Sequence, residues 1–273
     1  MSSDVHTDYL IHESPAETHR EAVLAGVMSD ASARLFREIG VAEGWNCLDV
    51  GSGGGQVALA LGGLVGRSGS VTGVDVGESA VQTATTAASE SGSENVEFEP
   101  GDVYALPFRE RFDLAYARLL LLYLTEPVAA IRAMAAAVRP GGVVAVEDIF
   151  SDDLRSEPET PALADLRRIY GATVRAHGGD PTIGPRLAAM FRAAGLVDVK
   201  TGSVVNVMTT SEEKSFLVEL VDSMHDAIIE TGSATESEVA EMRGAVQAAA
   251  DDPSCTFYQA RIYQVFGTRP ATA

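Results

Sequence analysis

Two spacings of apolar residues alternate along this chain. Short apolar runs bounded by glycine, proline or acidic residues predict buried strands. Longer stretches with apolar positions every three to four residues predict amphipathic helices. Strands are expected at Asn46–Val50, Ser70–Val76, Val96–Pro100, Phe112–Ala117 and Val143–Asp148, with helices over Gln56–Leu64, Ser79–Glu90 and Pro127–Val138 between them. Such alternation is the mark of a parallel sheet covered by helices. Two helices, Pro15–Val27 and Asp30–Ile39, are expected ahead of the first strand, and Ser14 offers an N-cap before a proline at the first helical position. Beyond residue 150 the pattern predicts a helix over Ala162–His177 and a sixth strand from Val197 to Met208, bent at Gly202. Helical stretches at Ser211–Thr231 and Thr235–Ala250 and a last strand at Phe257–Phe266 follow. A capping box opening at Ser211 would need an acid where Lys214 stands, though Glu212 and Glu213 still put negative charge in the first turn. With no repeat and no long linker, residues 1–273 read as one α/β domain.

Composition narrows the partners. The chain is long enough to bury a full core. Its net charge of -19 speaks against nucleic acid and anionic membrane surfaces, which need clustered Lys and Arg. Solubility is the simplest use of that acidity. The N-terminus MSSDVHTDYL has neither a basic region nor an apolar core of a signal peptide, and no apolar run reaches the ~18 residues of a membrane span. A cytoplasmic protein is expected. The two cysteines, Cys47 and Cys255, lack metal-ligand spacing and read as small core residues; no metal site is expected.

The candidate chemistry sits at the ends of the predicted strands. Open parallel sheets bind ligands beyond the carboxyl ends of their strands, near the switch in strand order. Asp49, Asp75, Asp102, Ala117 and Glu147 all fall at or just past such ends. The segment CLDVGSGGGQV, Cys47 to Val57, adds a glycine turn between strand and helix. Glycines there let the backbone reach positive φ and let a ligand approach, and the helix start offers unpaired N–H groups. Counted from Gly53, the turn also fits the G-x-G-x-x-A form of a dinucleotide fingerprint, ending at Ala58, so a nicotinamide dehydrogenase is an alternative.

Asp49-x-Gly51-x-Gly53-x-Gly55 resembles the first motif of the class I S-adenosylmethionine-dependent methyltransferases. VTGVDVGESA, GDVYALPF and RPGGVVAVED follow in that family's order, so the resemblance covers roughly residues 42 to 150. It is similar in particular to the small-molecule group that includes the quinone-biosynthesis C-methyltransferases. The resemblance implies a Rossmann-like sheet of seven mostly parallel strands in the order 3-2-1-4-5-7-6, with helices on both faces and the last strand antiparallel. It implies a helical lid over residues 1–40, a cofactor-binding core over 41–150 and a substrate-side half over 151–273. The helical insertion at 211–252 is then the source of a substrate cap or of an interface for a homo-oligomer.

The same resemblance assigns S-adenosylmethionine as cofactor, with S-adenosylhomocysteine as product. Asp49, Gly51, Gly53 and Gly55 are expected at its amino-acid part, Asp75 and Val76 at the ribose, and Asp102 and Val103 at the adenine. Ala117 and Arg118 are expected beside the same site. Tyr9 and Arg20 belong to a segment that in relatives folds over the cofactor, Arg20 meeting its carboxylate. The implied reaction is methylation at oxygen or carbon of a small, partly apolar metabolite, in secondary or quinone-like metabolism. A cyclase or isomerase on the same fold is the alternative.

Each residue also has a plainer use. Arg20 pairs as readily with Glu17 along a helix. Asp102 suits an Asx-turn. Asp75 is a possible helix cap, a task for which Glu78 and Ser79 are better placed. Methyl transfer needs a base only where the acceptor must lose a proton. Glu147, Asp148 and His177 are the candidates, and of the two neighbouring strand acids only one can face the pocket. His177 precedes Gly178-Gly179 and fits a helix C-terminus, His12 lies in the lid segment, and His225 reads as a half-buried mid-helix residue. Tyr123 stands where relatives often carry a histidine and reads either as core or as a hydroxyl facing substrate.

Overall fold

The computed structural model describes residues 15–271. In chain order its elements are α1 (Pro15–Ile39), β1 (Asn46–Val50), α2 (Gln56–Val65), β2 (Ser70–Asp75), α3 (Glu78–Ser91), β3 (Val96–Pro100), β4 (Phe112–Arg118), α4 (Pro127–Ala137) and β5 (Val138–Phe150). They continue with β6 (Arg155–Glu157), α5 (Pro161–Ala176), α6 (Leu187–Ala193), β7 (Val197–Val204), β8 (Val207–Met208), α7 (Ser211–Ser223), α8 (His225–Glu230), α9 (Glu236–Asp251), β9 (Thr256–Tyr258) and β10 (Arg261–Thr268).

Seven strands form one sheet in the order β3-β2-β1-β4-β5-β10-β7. Counting only the strands of this sheet, that is 3-2-1-4-5-7-6, as the motif order implies. The central strands run parallel, while β10 is antiparallel to both β5 and β7. The switch in order falls between β1 and β4, where Val50 pairs with Ala117. Central strands are covered on both faces. Leu48, Val50, Ala115, Ala117 and Val146 belong to the larger core with α4 and α5. Cys47, Leu114, Tyr116 and Ala145 belong to a second core with α2 and the end of α1.

Three expectations change. The two N-terminal helices are one, α1, of 25 residues. Ser29 does not break it, because its Oγ bonds back to Gly26 O at 2.8 Å, and Met28 is fully buried at the expected break. The sixth strand does not end its bend at Gly202. It stops at Val204, and β8 joins a separate three-stranded sheet of order β6-β9-β8. The last strand likewise divides into β9 and β10 around Gln259-Ala260. The two breaks lie side by side: Gln259 N donates to Asn206 O at 2.9 Å and Asn206 Nδ2 donates to Gln259 Oε1 at 2.8 Å. Each broken ladder thus finds its hydrogen bonds in the other.

The helical insertion is held by caps one residue from where the sequence pattern looks for one. Thr210 Oγ1 accepts from Glu213 N and the Glu213 carboxylate accepts from Thr210 N, a reciprocal box that avoids Lys214. Thr235 and Glu238 repeat it at α9. Lys214 instead is fully buried, donating to Asp252 O and Cys255 O. His225 opens α8 after a break at Met224, with Asp226 and Glu236 each 2.9 Å from its ring. Those two partners raise its pKa.

Candidate active site

The glycine turn leaves the end of β1 with Gly51, Gly53 and Gly55 at φ values of 70, 48 and 84°. Gly55 is the N-cap of α2 and contributes no side-chain cap, and of the first-turn N–H groups that of Ala58 is taken by Asp49. A Cβ at Gly55 would lie 2.7 Å from the Phe98 ring and one at Gly51 3.1 Å from Leu120. Glycine is therefore required at Gly55 by both conformation and space.

Asp75 holds this turn in place. Its Oδ2 accepts from Gly53 N at 2.9 Å and its Oδ1 accepts from Gly77 N at 3.0 Å, and it is only 3% exposed. The cap of α3 is Gly77, not Glu78 or Ser79. Beside Asp75, Val76 is 52% exposed, an apolar surface at the rim of the strand ends.

Asp49 is buried beneath the turn, and its Oδ2 has no hydrogen-bond partner among the described residues. Burial pushes its pKa up to about 7; Arg118 opposes that and Asp75 adds to it. A buried carboxylate with one oxygen unmatched fits a site for a cationic or N–H-bearing ligand. Asp102 takes the Asx geometry, its Oδ1 accepting from Tyr104 N at 2.8 Å while the side chain remains exposed. Val103 behind it is buried, as is Ala117.

The two acids of β5 part company. Glu147 is fully buried against α1, where Ser32 Oγ donates to it at 3.2 Å and Gln264 Nε2 at 3.3 Å. Burial raises its pKa, with Arg118 as the main opposing influence. Asp148 points the other way and accepts from Leu122 N at 3.0 Å and Ile149 N at 2.9 Å. Burial pushes it too to about 7, held down by those backbone N–H groups. Asp148 thus braces the 3-10 turn Leu121–Tyr123 that follows β4.

Above that turn lies a hollow between α1, α5, α7 and the loops after β4 and β5. Arg20 is buried and lines it, as do Tyr123 and Tyr170. Tyr123 is therefore at the wall of a cavity and its hydroxyl lies 3.2 Å from that of Tyr170. Phe216, Leu217 and Leu220 of α7 line the same hollow, so the insertion serves as its cap. His177 is not among the described residues that line it; it caps α5, with Nδ1 3.0 Å from Thr173 O. Glu147 is also not in that wall. Tyr9, His12 and the side chain of Glu17 lie outside the described residues.

The structure thus brings Asp49, the three glycines, Asp75, Arg118 and Glu147 to one end of the sheet and Arg20 to the adjoining hollow. Sequence patterns miss Tyr170, Ser151, Leu119 and Leu120. Tyr170 carries only an ordinary amphipathic signal on α5. Leu119 adopts a φ of 53°, rare for a branched side chain, and donates its N–H to Glu147 O at 2.8 Å. Leucine gives no hint of that turn in a sequence.

A family model described as a methyltransferase domain matches residues 42–179. An O-methyltransferase of Penicillium expansum is 32% identical over 178 residues, 62% of this chain and 62% of its own length. A demethylmenaquinone methyltransferase of Staphylococcus aureus is 29% identical over 138 residues, 50% of this chain and 54% of its own. The match spans less than two thirds of either relative. Among solved structures, the YcgJ protein from Bacillus subtilis shares the fold at a TM-score of 0.58 and 19% identity, over 86% of this chain and 97% of that one.

Proposed function

The chain belongs to the methyltransferase-domain family, and on that premise we propose that it is a class I enzyme that methylates oxygen or carbon of a small, partly apolar molecule. Bound S-adenosylmethionine supplies an activated methyl on a sulfonium and departs as the neutral thioether S-adenosylhomocysteine. The residues present fit that cofactor. The observation that carries the reading is Asp49, buried with an unmatched oxygen directly below the glycine turn.

In this reading Asp49 and the turn at Gly51, Gly53 and Gly55 receive the charged amino-acid part. Asp75, which already accepts from Gly53 N and Gly77 N, suits a ribose diol. Val76 offers apolar surface at the rim, the Val103 N–H suits an adenine ring nitrogen, and the exposed Asp102 carboxylate suits its amino group. Arg118 balances Asp49 and Glu147. Positioning carries most of the barrier lowering in such a transfer, about 7–11 kcal/mol for well-held reactants. Glu147 and His177 stay the candidate proton acceptors of this reading, Glu147 fully buried and neither side chain in the wall of the hollow. The O-methyltransferase relative supports a metabolite acceptor, and a cytoplasmic setting and a homo-oligomer through the C-terminal helices belong to the same proposal.

Calorimetric titration with S-adenosylmethionine tests the reading. One molecule is expected to bind per chain, and Asp75→Ala is expected to weaken it at least ~100-fold, since the part-buried N–H groups of Gly53 and Gly77 also lose their acceptor. Absence of binding heat overturns the reading. Turnover of an acceptor without release of S-adenosylhomocysteine would move the protein to the cyclase or isomerase alternative.

A further inference from the structure

α1 joins both cores, Leu24 and Met28 in the larger and Leu35 and Phe36 in the second. Its buried apolar residues Leu24, Met28, Ala31 and Leu35 recur every three or four positions. A slide of the helix by one turn sets Leu24 where Met28 sits and Ala31 where Leu35 sits, apolar on apolar. Hydrophobic attraction is non-directional and resists such a slide only weakly.

One polar contact breaks that degeneracy. Glu147 of β5 is fully buried. Its Oε2 accepts from Ser32 Oγ at 3.2 Å and its Oε1 accepts from Gln264 Nε2 at 3.3 Å. The same Gln264 nitrogen donates to Ala31 O at 3.1 Å. Glu147 and Gln264 are register partners on β5 and β10, so two neighbouring strands grip two successive residues of α1. A slide in one direction brings Met28 to the place of Ser32, and in the other Phe36. Either leaves the acid facing a side chain with no donor, which a buried carboxyl group does not tolerate. A leucine in place of Glu147 would pack with little loss of stability, but it would not distinguish one turn from the next.

We propose that Glu147 is a positioning residue that sets the register of α1, and through α1 the placement of Arg20 and Leu24 in the wall of the hollow. A one-turn slide would carry both about 5 Å along that wall. A single buried polar residue fixes the register of coiled coils in the same way. The inference goes beyond the methyl-transfer reading, because it concerns how the wall is set and not what the hollow holds.

The test reads the register by pulsed electron paramagnetic resonance on the full-length chain. A spin label at Ala33→Cys, on the exposed side of α1, is paired in turn with labels at Ser79→Cys on α3 and Ala245→Cys on α9. Cys47 and Cys255 are buried, away from the label. One narrow distance per pair is expected when Glu147 is intact. Glu147→Leu is expected to keep its stability in denaturation but to split or shift at least one distance by about 5 Å. Glu147→Gln separates this task from proton transfer: its amide oxygen still accepts from Ser32 but takes up no proton, and the original distances are expected. Ser32→Ala, the milder change, is expected to broaden the distances that Glu147→Leu splits. Unchanged distances in both Glu147→Leu and Ser32→Ala overturn the assignment, as does a Glu147→Gln variant displaced as far as Glu147→Leu. If Glu147→Leu does not fold, unchanged distances in Ser32→Ala overturn it alone.

Discussion

At the ends of β1 and β2 the main chain does most of the holding. Three positive-φ glycines shape the turn, and Asp75 fixes it through Gly53 N and Gly77 N. Around the hollow the main chain recedes, and side chains from α1, α5, α7 and two loops form the wall. The first region is specified by a dozen residues around Asp49 and one acid further on. The second exists only when segments more than 100 residues apart are packed together. On the methyl-transfer proposal, a fixed cofactor and a variable acceptor call for these two kinds of construction.

The largest expected effect tests the first region. Gly55→Ala places a Cβ 2.7 Å from Phe98 and 2.9 Å from Ala84 at a φ of 84°. A loss of about 2–4 kcal/mol in chemical denaturation is expected, together with loss of cofactor binding. Near-wild-type stability and affinity would show that the turn is not the rigid part.

Asp148→Ala sharpens the contrast from the other side. It strips the acceptor from Leu122 N and Ile149 N, so a loss of roughly 2–3 kcal/mol is expected. Cofactor affinity should hold within about threefold while the hollow loosens, because Asp148 bonds Leu122 N and Ile149 N and not the glycine turn. An equal loss at both sites would erase the division.

The pH dependence gives a third test. Asp49 and Asp148 have folded-state pKa values near 7, raised by burial from the ordinary carboxylate value of 3.8. Between about pH 4 and pH 7 the unfolded chain has released protons that the native state retains. Stability without ligand therefore falls as pH rises through that window and levels off above it. Asp49→Asn should flatten part of the slope in denaturation curves at pH 5, 6, 7 and 8. Affinity for the positively charged donor should rise over the same range, as Asp49 ionises.

The distinction between these regions is also a distinction in what a sequence reveals. Asp49, the glycines and Asp75 are legible because close spacing and strand ends bring them together. The sheet order follows from the same motif order, with β10 as the antiparallel strand. Tyr170 and Ser151 leave no such trace, since their relation to Tyr123 is made by tertiary packing of α5 against the loops after β4 and β5. Leu119 takes a glycine-like φ, so residue type conceals the turn. The breaks at Asn206 and Gln259 escape a period-two reading because each is compensated by the other strand.

The smallest expected effect is at the periphery. Thr235→Ala removes one arm of the reciprocal cap on α9 and should cost about 1 kcal/mol, with cofactor affinity unchanged. A larger loss, or altered binding, would tie the distal insertion to the glycine turn.

The neighbouring exits of two strands at Asn206 and Gln259 have an engineering consequence. Everything threaded between them, from β8 through β9, leaves and rejoins the scaffold through one narrow doorway. A graft cut at that doorway would exchange the α7 wall of the hollow while leaving the glycine turn after β1 in place.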